Sequence, residues 1–248
     1  MPPMSRTVCL FVLAALGVAA CDKSSSDAEN TTVEPSAAPL TPAVPPPPEP
    51  PRAPDIIVDR SAVSVGAEHL AAGEPSLADK VGALFAGQPT IEGHSVDLVG
   101  MRNAKPSQVV AVVGALRAAK ATGAKVKTAA RDDTTQALPV SFATSVPDCT
   151  VVLWIAKDGV INLWPAGGGA LKRVGRGLAG PDVTLGTDAV RTQWAGCGSP
   201  AIAIGAEDTM TWGLVFDLAT TVIGSPGSRA SAAILLTSAT PGHKLSLP

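Results

Sequence analysis

Two stretches of this chain run through the same succession of patterns, and that repetition constrains the fold more than any composition figure does. In the later stretch, Val151-Val152-Leu153-Trp154-Ile155 leads through Lys157-Asp158-Gly159 into Val160-Ile161-Asn162-Leu163. Two strand-like runs about an Asp-Gly turn are a hairpin signature. In the earlier stretch, Ile56-Ile57-Val58 leads through Asp59-Arg60-Ser61 into Ala62-Val63-Ser64-Val65, at an offset of 98 residues. Further on, Val96-Asp97-Leu98-Val99-Gly100 precedes a helical pattern opened by Pro106, with Val109, Val112, Val113 and Leu116 on one face and Gly123 as its stop. The counterpart is Ala201-Ile202-Ala203-Ile204-Gly205 followed by residues 212–223, with Leu214, Val215, Leu218 and Val222 facing one side, at an offset of 105. The difference places seven extra residues between hairpin and central strand of the later copy, where Gly167-Gly168-Gly169 and Gly175 supply a loop.

Each copy closes with a strand-like segment, residues 125–130 and 231–237. The first also carries a helix capped by Ser76 with Asp79 three residues on, lined by Leu77, Val81, Leu84 and Phe85 and stopped at Gly87. No matching helix is legible in the second copy. The order hairpin, helix, strand, helix, strand predicts an α+β protein of two tandem small two-layer domains, residues 55–135 and 145–248, each a sheet with helices on one face.

Ahead of them, the first twenty residues read as an export signal. The apolar run 7–20 would rise about 21 Å as a helix, short of the roughly twenty residues a hydrocarbon core needs, so a removed signal peptide fits better than a spanning helix. The tetrad Val18-Ala19-Ala20-Cys21 resembles the bacterial lipobox, which implies cleavage before Cys21 and lipidation of its thiol. Asp22 next to it slightly favours the inner membrane under that resemblance. The expected location is the periplasmic side of a bacterial cell envelope. Residues 21–54 are first polar and then proline-rich through Pro45-Pro46-Pro47-Pro48, a composition that cannot bury a core and suits an extended spacer. Apart from Cys9 and Cys21 the chain holds only Cys149 and Cys197, which in an oxidising compartment predicts one disulfide. With a net charge of −2 and no clustered basic surface, nucleic acid is excluded as a partner.

The central strand, polar turn and following helix, residues 96–123 and again 201–223, resemble the periplasmic domain of the ExbD/TolR family of biopolymer transport proteins. Glu207-Asp208-Thr209 followed by Thr211-Trp212-Gly213-Leu214-Val215 looks like that family's acidic turn and aromatic-led helix start, and Arg102-Asn103 with Pro106-Ser107 take the same place in the first copy. The resemblance implies a module that dimerises, touches motor subunits of an ExbB/TolQ-like complex or engages the cell wall, with Arg102, Lys105, Asp208 and Trp212 as candidate partner contacts. It also admits self-association. The family's transmembrane helix with its proton-relaying aspartate has no counterpart: between residues 7 and 20 nothing ionises except the Cys9 thiol, so this chain is not expected to conduct protons.

Catalytic patterns are not visible. HExxH, GxSxG, SxxK and P-loop signatures are absent from the sequence, and His69, His94 and His243 lack metal-ligand spacing, so neither an enzyme nor a metal or cofactor is expected. Asp208 reads as a helix cap and Asp217 as belonging to a solvated helix face. A peptidoglycan- or glycan-binding structural lipoprotein is the alternative, and it would show Trp154, Trp164, Trp194 or Trp212 at the surface.

Overall fold

Both hairpins form where the alternating runs place them. The computed structural model describes residues 52–132, 134–177, 180–194 and 196–247; the export signal, Cys9, Cys21 and the proline-rich stretch to residue 51 lie outside the described residues. Strands β1 (Ile56–Val58) and β2 (Ala62–Val65) pair antiparallel around Asp59, whose carboxylate accepts the N–H groups of Ser61 and Ala62 and the Ser61 hydroxyl. That side chain closes the turn beside a backbone bond from the Asp59 N–H to the Ala62 carbonyl at 2.9 Å. A third strand, β3 (Glu68–Ala71), extends the hairpin. Helix α1 (Leu77–Phe85) buries Leu77, Val81 and Phe85 at one-turn spacing, and β4 (Ser95–Gly100) follows.

Helix α2 (Pro106–Ala118) begins with proline, whose missing N–H costs nothing there, and the Gln108 side chain accepts the Lys105 N–H. It ends at Ala118, with Lys120 in the left-handed region at φ 63°. Gly123 is therefore not the helix stop but the first residue of β5 (Gly123–Ala129), after which β6 (Thr135–Val140) returns antiparallel.

The second half repeats the plan with β7 (Val151–Ile155), β8 (Ile161–Pro165), β9 (Lys172–Val174), a short ribbon β10 (Arg176–Gly177) with β11 (Gly180–Pro181), α3 (Val183–Trp194), β12 (Ala201–Ala206), α4 (Trp212–Ile223) and β13 (Ala232–Leu235). Helix α3 supplies the member of the repeat that the sequence pattern does not reveal.

The expectation of two tandem small two-layer domains is overturned. Eleven strands form one mixed sheet in the order β3-β2-β1-β4-β5-β6-β13-β12-β7-β8-β9. From either end inward, each half lays down its third, second and first strand, then its central strand, then its closing strand. β1 and β4 are parallel, as are β4 and β5, β7 and β12, and β12 and β13. The connecting piece is β6, antiparallel to β5 and parallel to β13. Its seam with β13 is narrow: Val140 is in register with Ala233, and the Ser141 N–H donates to the Ala233 carbonyl at 2.8 Å. The two halves thus run in opposite directions, as an approximate two-fold axis through the sheet requires. A strand that reads as a linker merges two units that each would expose an edge.

The register also differs by one residue from the repeat offsets in the sequence. Ile57 pairs with Val99 across β1 and β4, and the corresponding pair across β7 and β12 is Trp154 with Gly205. The offset of 98 sets Ile56 against Trp154, and that of 105 sets Gly100 against Gly205. Because strand side chains alternate, a slip of one residue exchanges the two faces of the sheet.

One face of the sheet, with Val58, Leu98, Val126, Leu138, Leu153 and Ile204 among its residues, builds a single core with the buried sides of all four helices. The opposite face of the second half builds a separate small core from Val152, Trp154, Trp164, Ala201, Ala203, Ile234 and Leu236, covered by Ala239, Leu245 and Leu247 of the C-terminal segment. Trp164 Nε1 donates to the His243 carbonyl at 2.8 Å, and the Leu245 N–H donates to the Ala166 carbonyl at 2.7 Å. The disulfide Cys149–Cys197 is present, joining the segment before β7 to the loop between α3 and β12 with Cα atoms 5.7 Å apart.

Candidate functional site at the junction of the two halves

The turns that follow the two central strands meet each other, and they carry the residues the sequence singles out. Gly213, second residue of α4, donates its N–H to the Arg102 carbonyl at 2.9 Å; Ser107, second residue of α2, donates its N–H to Asp208 Oδ1 at 3.1 Å. Arg102 and Asp208 hold equivalent places in the two turns, so the contacts are near mirror versions of one another. The Ser107 hydroxyl adds a 2.7 Å bond to Asp208 Oδ2. Asp208 does cap a helix, but the helix is α2 of the other half and not the one it precedes in sequence. A carboxylate there meets unpaired N–H groups and the positive end of the helix dipole. The first N–H of α4, that of Trp212, goes to the Ala104 carbonyl at 2.8 Å.

Trp212 is completely buried. Its indole Nε1 donates to Thr128 Oγ1 at 2.9 Å and its ring packs near Phe216 with centroids 6.3 Å apart. Gly100 makes room for it: a Cβ at that position would lie 2.7 Å from Nε1. The indole is thus used inside the molecule, locking α4 of the second half onto β4 and β5 of the first.

Around the same junction Asp217 accepts two bonds from Arg102, at 2.9 and 2.7 Å, and one from Arg131 Nε at 2.9 Å. Arg102 also donates to the Ala129 carbonyl. The Asp217 side chain is 12% exposed, against 34% for Arg102 and 73% for Arg131. Burial alone would push the Asp217 carboxyl up; the hydrogen bonds and charges of Arg102 and Arg131 outweigh it and hold the group below the ordinary carboxylate range. The bond to Asp217 correspondingly raises Arg102. The expectation of a solvated Asp217 is corrected: it is the anchor of an ion-paired clasp. Its isolation was a signal, since it is the only charged residue in α4.

Of the four candidate contacts, Arg102, Asp208 and Trp212 are therefore engaged between the halves, while Lys105, the residue preceding α2, is exposed. Trp154 and Trp164 are buried as well, and the side chain of Trp194 lies outside what the structure describes. Chemically the junction is a carboxylate held below its ordinary range and hydrogen-bonded to two guanidinium groups, which suits fixed docking more than proton transfer. Among the described residues no group of three or more His, Cys, Asp or Glu side chains could hold a metal ion, and no helix is long and apolar enough to cross a membrane. No protein-family model, curated protein or solved structure matches this chain.

Proposed function

We propose that this chain is a lipid-anchored protein of the bacterial cell envelope, resembling the periplasmic portion of ExbD/TolR subunits, that acts by protein contact in or beside a proton-driven transport system without conducting protons itself. The observation that carries the proposal is the junction. Two central strand, turn and helix units, the segments on which the family resemblance rests, dock on one another through Arg102, Asp208, Trp212 and Asp217 within a single chain. A covalently paired module needs no association step and presents its outer surfaces in fixed relation, an advantage where the local concentration of partners is set by a membrane. The signal with Cys21 would hold it there. The glycan-binding alternative draws on exposed tryptophans; among the tryptophan side chains described, Trp154, Trp164 and Trp212 are at most 5% exposed, which supports the contact reading over it.

The test is crosslinking in gently solubilised membranes, followed by purification of the protein and identification of what accompanies it, with Cys21→Ala as control. Recovery of a multi-helix motor subunit, lost in the control, is the expected outcome. Recovery of wall fragments alone would overturn the transport reading in favour of a structural lipoprotein.

A further inference from the structure

Beyond the C-terminal ends of α3 and α4 lies a cavity of about 310 Å³, at the other end of α4 from the junction turn and lined by Arg191, Arg229, Ser225, Ser228, Gly227 and Cys197. Its charge is one-sided. The sequence holds no Asp or Glu at residues 189–206 or 218–248, the segments that form its walls. Arg191 is paired with Asp188 one turn back. Arg229, in contrast, makes no ion pair or hydrogen bond among the described residues, so it is not spent on the nearby helix carbonyls. The Ser228 hydroxyl is closed off from solvent in the same wall and is without a hydrogen-bond partner, the one buried side-chain polar atom of that kind among the described residues. A buried donor without an acceptor calls for a missing partner.

A second cavity of about 510 Å³ adjoins the first, sharing Arg191, Ser225 and Pro226. Its character changes from cationic to neutral and hydrogen-bonding: Thr184, Thr187, Thr220, Thr221 and Gln136 line it, with Asp188 its only carboxylate. The Thr187 and Thr220 hydroxyl protons are committed to the carbonyls of Val183 and Phe216, which leaves their oxygens as acceptors. Volumes of this size match small-molecule sites.

We propose that this double groove binds a small organic oxyanion, its phosphate or carboxylate group held by Arg229 and Arg191 and its hydroxyl-bearing body lying along the threonines. The guanidinium fork is suited to either oxyanion, and the threonine oxygens accept from hydroxyl groups.

The test is isothermal titration of the full chain with four probes: inorganic phosphate, glucose 6-phosphate, gluconate and glucose. Glucose 6-phosphate or gluconate is expected to bind at least tenfold more tightly than inorganic phosphate, with glucose silent; which of the two is tighter identifies the preferred head group. Arg229→Ala is expected to weaken binding at least tenfold, and Arg191→Ala to weaken it as well. Both side chains are at the surface, and an unchanged circular dichroism melt verifies folding. Absence of binding by every anionic probe overturns the proposal. So does an equal loss in Arg60→Ala, an exposed arginine outside both the groove and the clasp, because that outcome marks general charge attraction.

Discussion

The two halves share one topology and bury it differently. Along β4 of the first half, Ser95, Asp97 and Val99 face outward and Val96, Leu98 and Gly100 face the helices, the alternation of a sheet with one wet side. Along β12 of the second half every residue is buried, because the C-terminal segment lies over the face that the first half leaves open. On that open face Ile57 and Val99, adjacent in register, are 42% and 36% exposed, and Met101 follows at 46%. The position of Ile57 is the position of Trp154. A repeat therefore conserves strand order and direction while leaving each outer face to be set by whatever chain is available to cover it.

The sharpest way to break this comparison is to truncate the equivalent pair. Trp154→Ala removes an indole 5% exposed and should cost about 3–5 kcal/mol in urea unfolding. Ile57→Ala should stay within about 1 kcal/mol, since much of its side chain already meets water. Equal costs at the two positions would mean that the outer face of the first half is covered in solution.

The neighbouring pair gives a smaller, opposite test. A Cβ on Gly205 would lie 2.6 Å from the Trp154 ring and 2.8 Å from the Leu236 carbonyl oxygen, so Gly205→Ala should cost about 1–3 kcal/mol by overpacking. Val99→Ala, at the matching place on the open face, should change a thermal melt little. A tolerated Gly205→Ala would show that Trp154 can retreat and that the second core is looser than its burial implies.

The clasp between the halves supplies the smallest effect and a pH signature. Because the Asp217 carboxyl is held below its ordinary value, its contribution is complete above the unfolded carboxylate pKa of about 3.9 and is lost as pH falls through the lower folded value. Asp217→Asn should therefore flatten the acid limb of the stability profile. Arg102→Ala should cost about 1–2 kcal/mol at neutral pH, less than a fully buried pair because Arg102 keeps partial access to water. An Asp217→Asn protein with the same acid limb as the parent would dismiss the clasp as a determinant of stability.

What could be read in the sequence was local. Turn chemistry at Asp59 and Asp158-Gly159, proline at the start of α2 and the helical spacing of Leu77, Val81 and Phe85 each act over a few residues, and each appears where the pattern places it. The joining strand did not announce itself. Its sequence Thr-Gln-Ala-Leu-Pro-Val has three exposed residues before its first buried one and contains Pro139, a residue that argues against a strand between two neighbours. Helix α3 was hidden by its mixed composition and by Gly186, where a Cβ would lie 2.9 Å from Ile161 Cδ1; packing, not propensity, chose that residue. The one-residue register error arose in runs such as Ile56-Ile57-Val58, whose residues are nearly interchangeable until the partner strand assigns their faces. At the junction, Arg102 and Asp217 are 115 residues apart, and only the opposed direction of the two halves brings them together.

The placement of β1 has a mechanical consequence. The proline-rich segment leads into a strand that is not at an edge of the sheet but lies between β2 and β4, hydrogen-bonded on both sides. A pull transmitted along the chain from before Asp55 would load those two ladders together, in shear along the strand. A load entering through an edge strand such as β3 could open a single ladder bond by bond, like a zipper; entering through β1 it must break two sets nearly at once, so the fold receives tension at one of its stronger points.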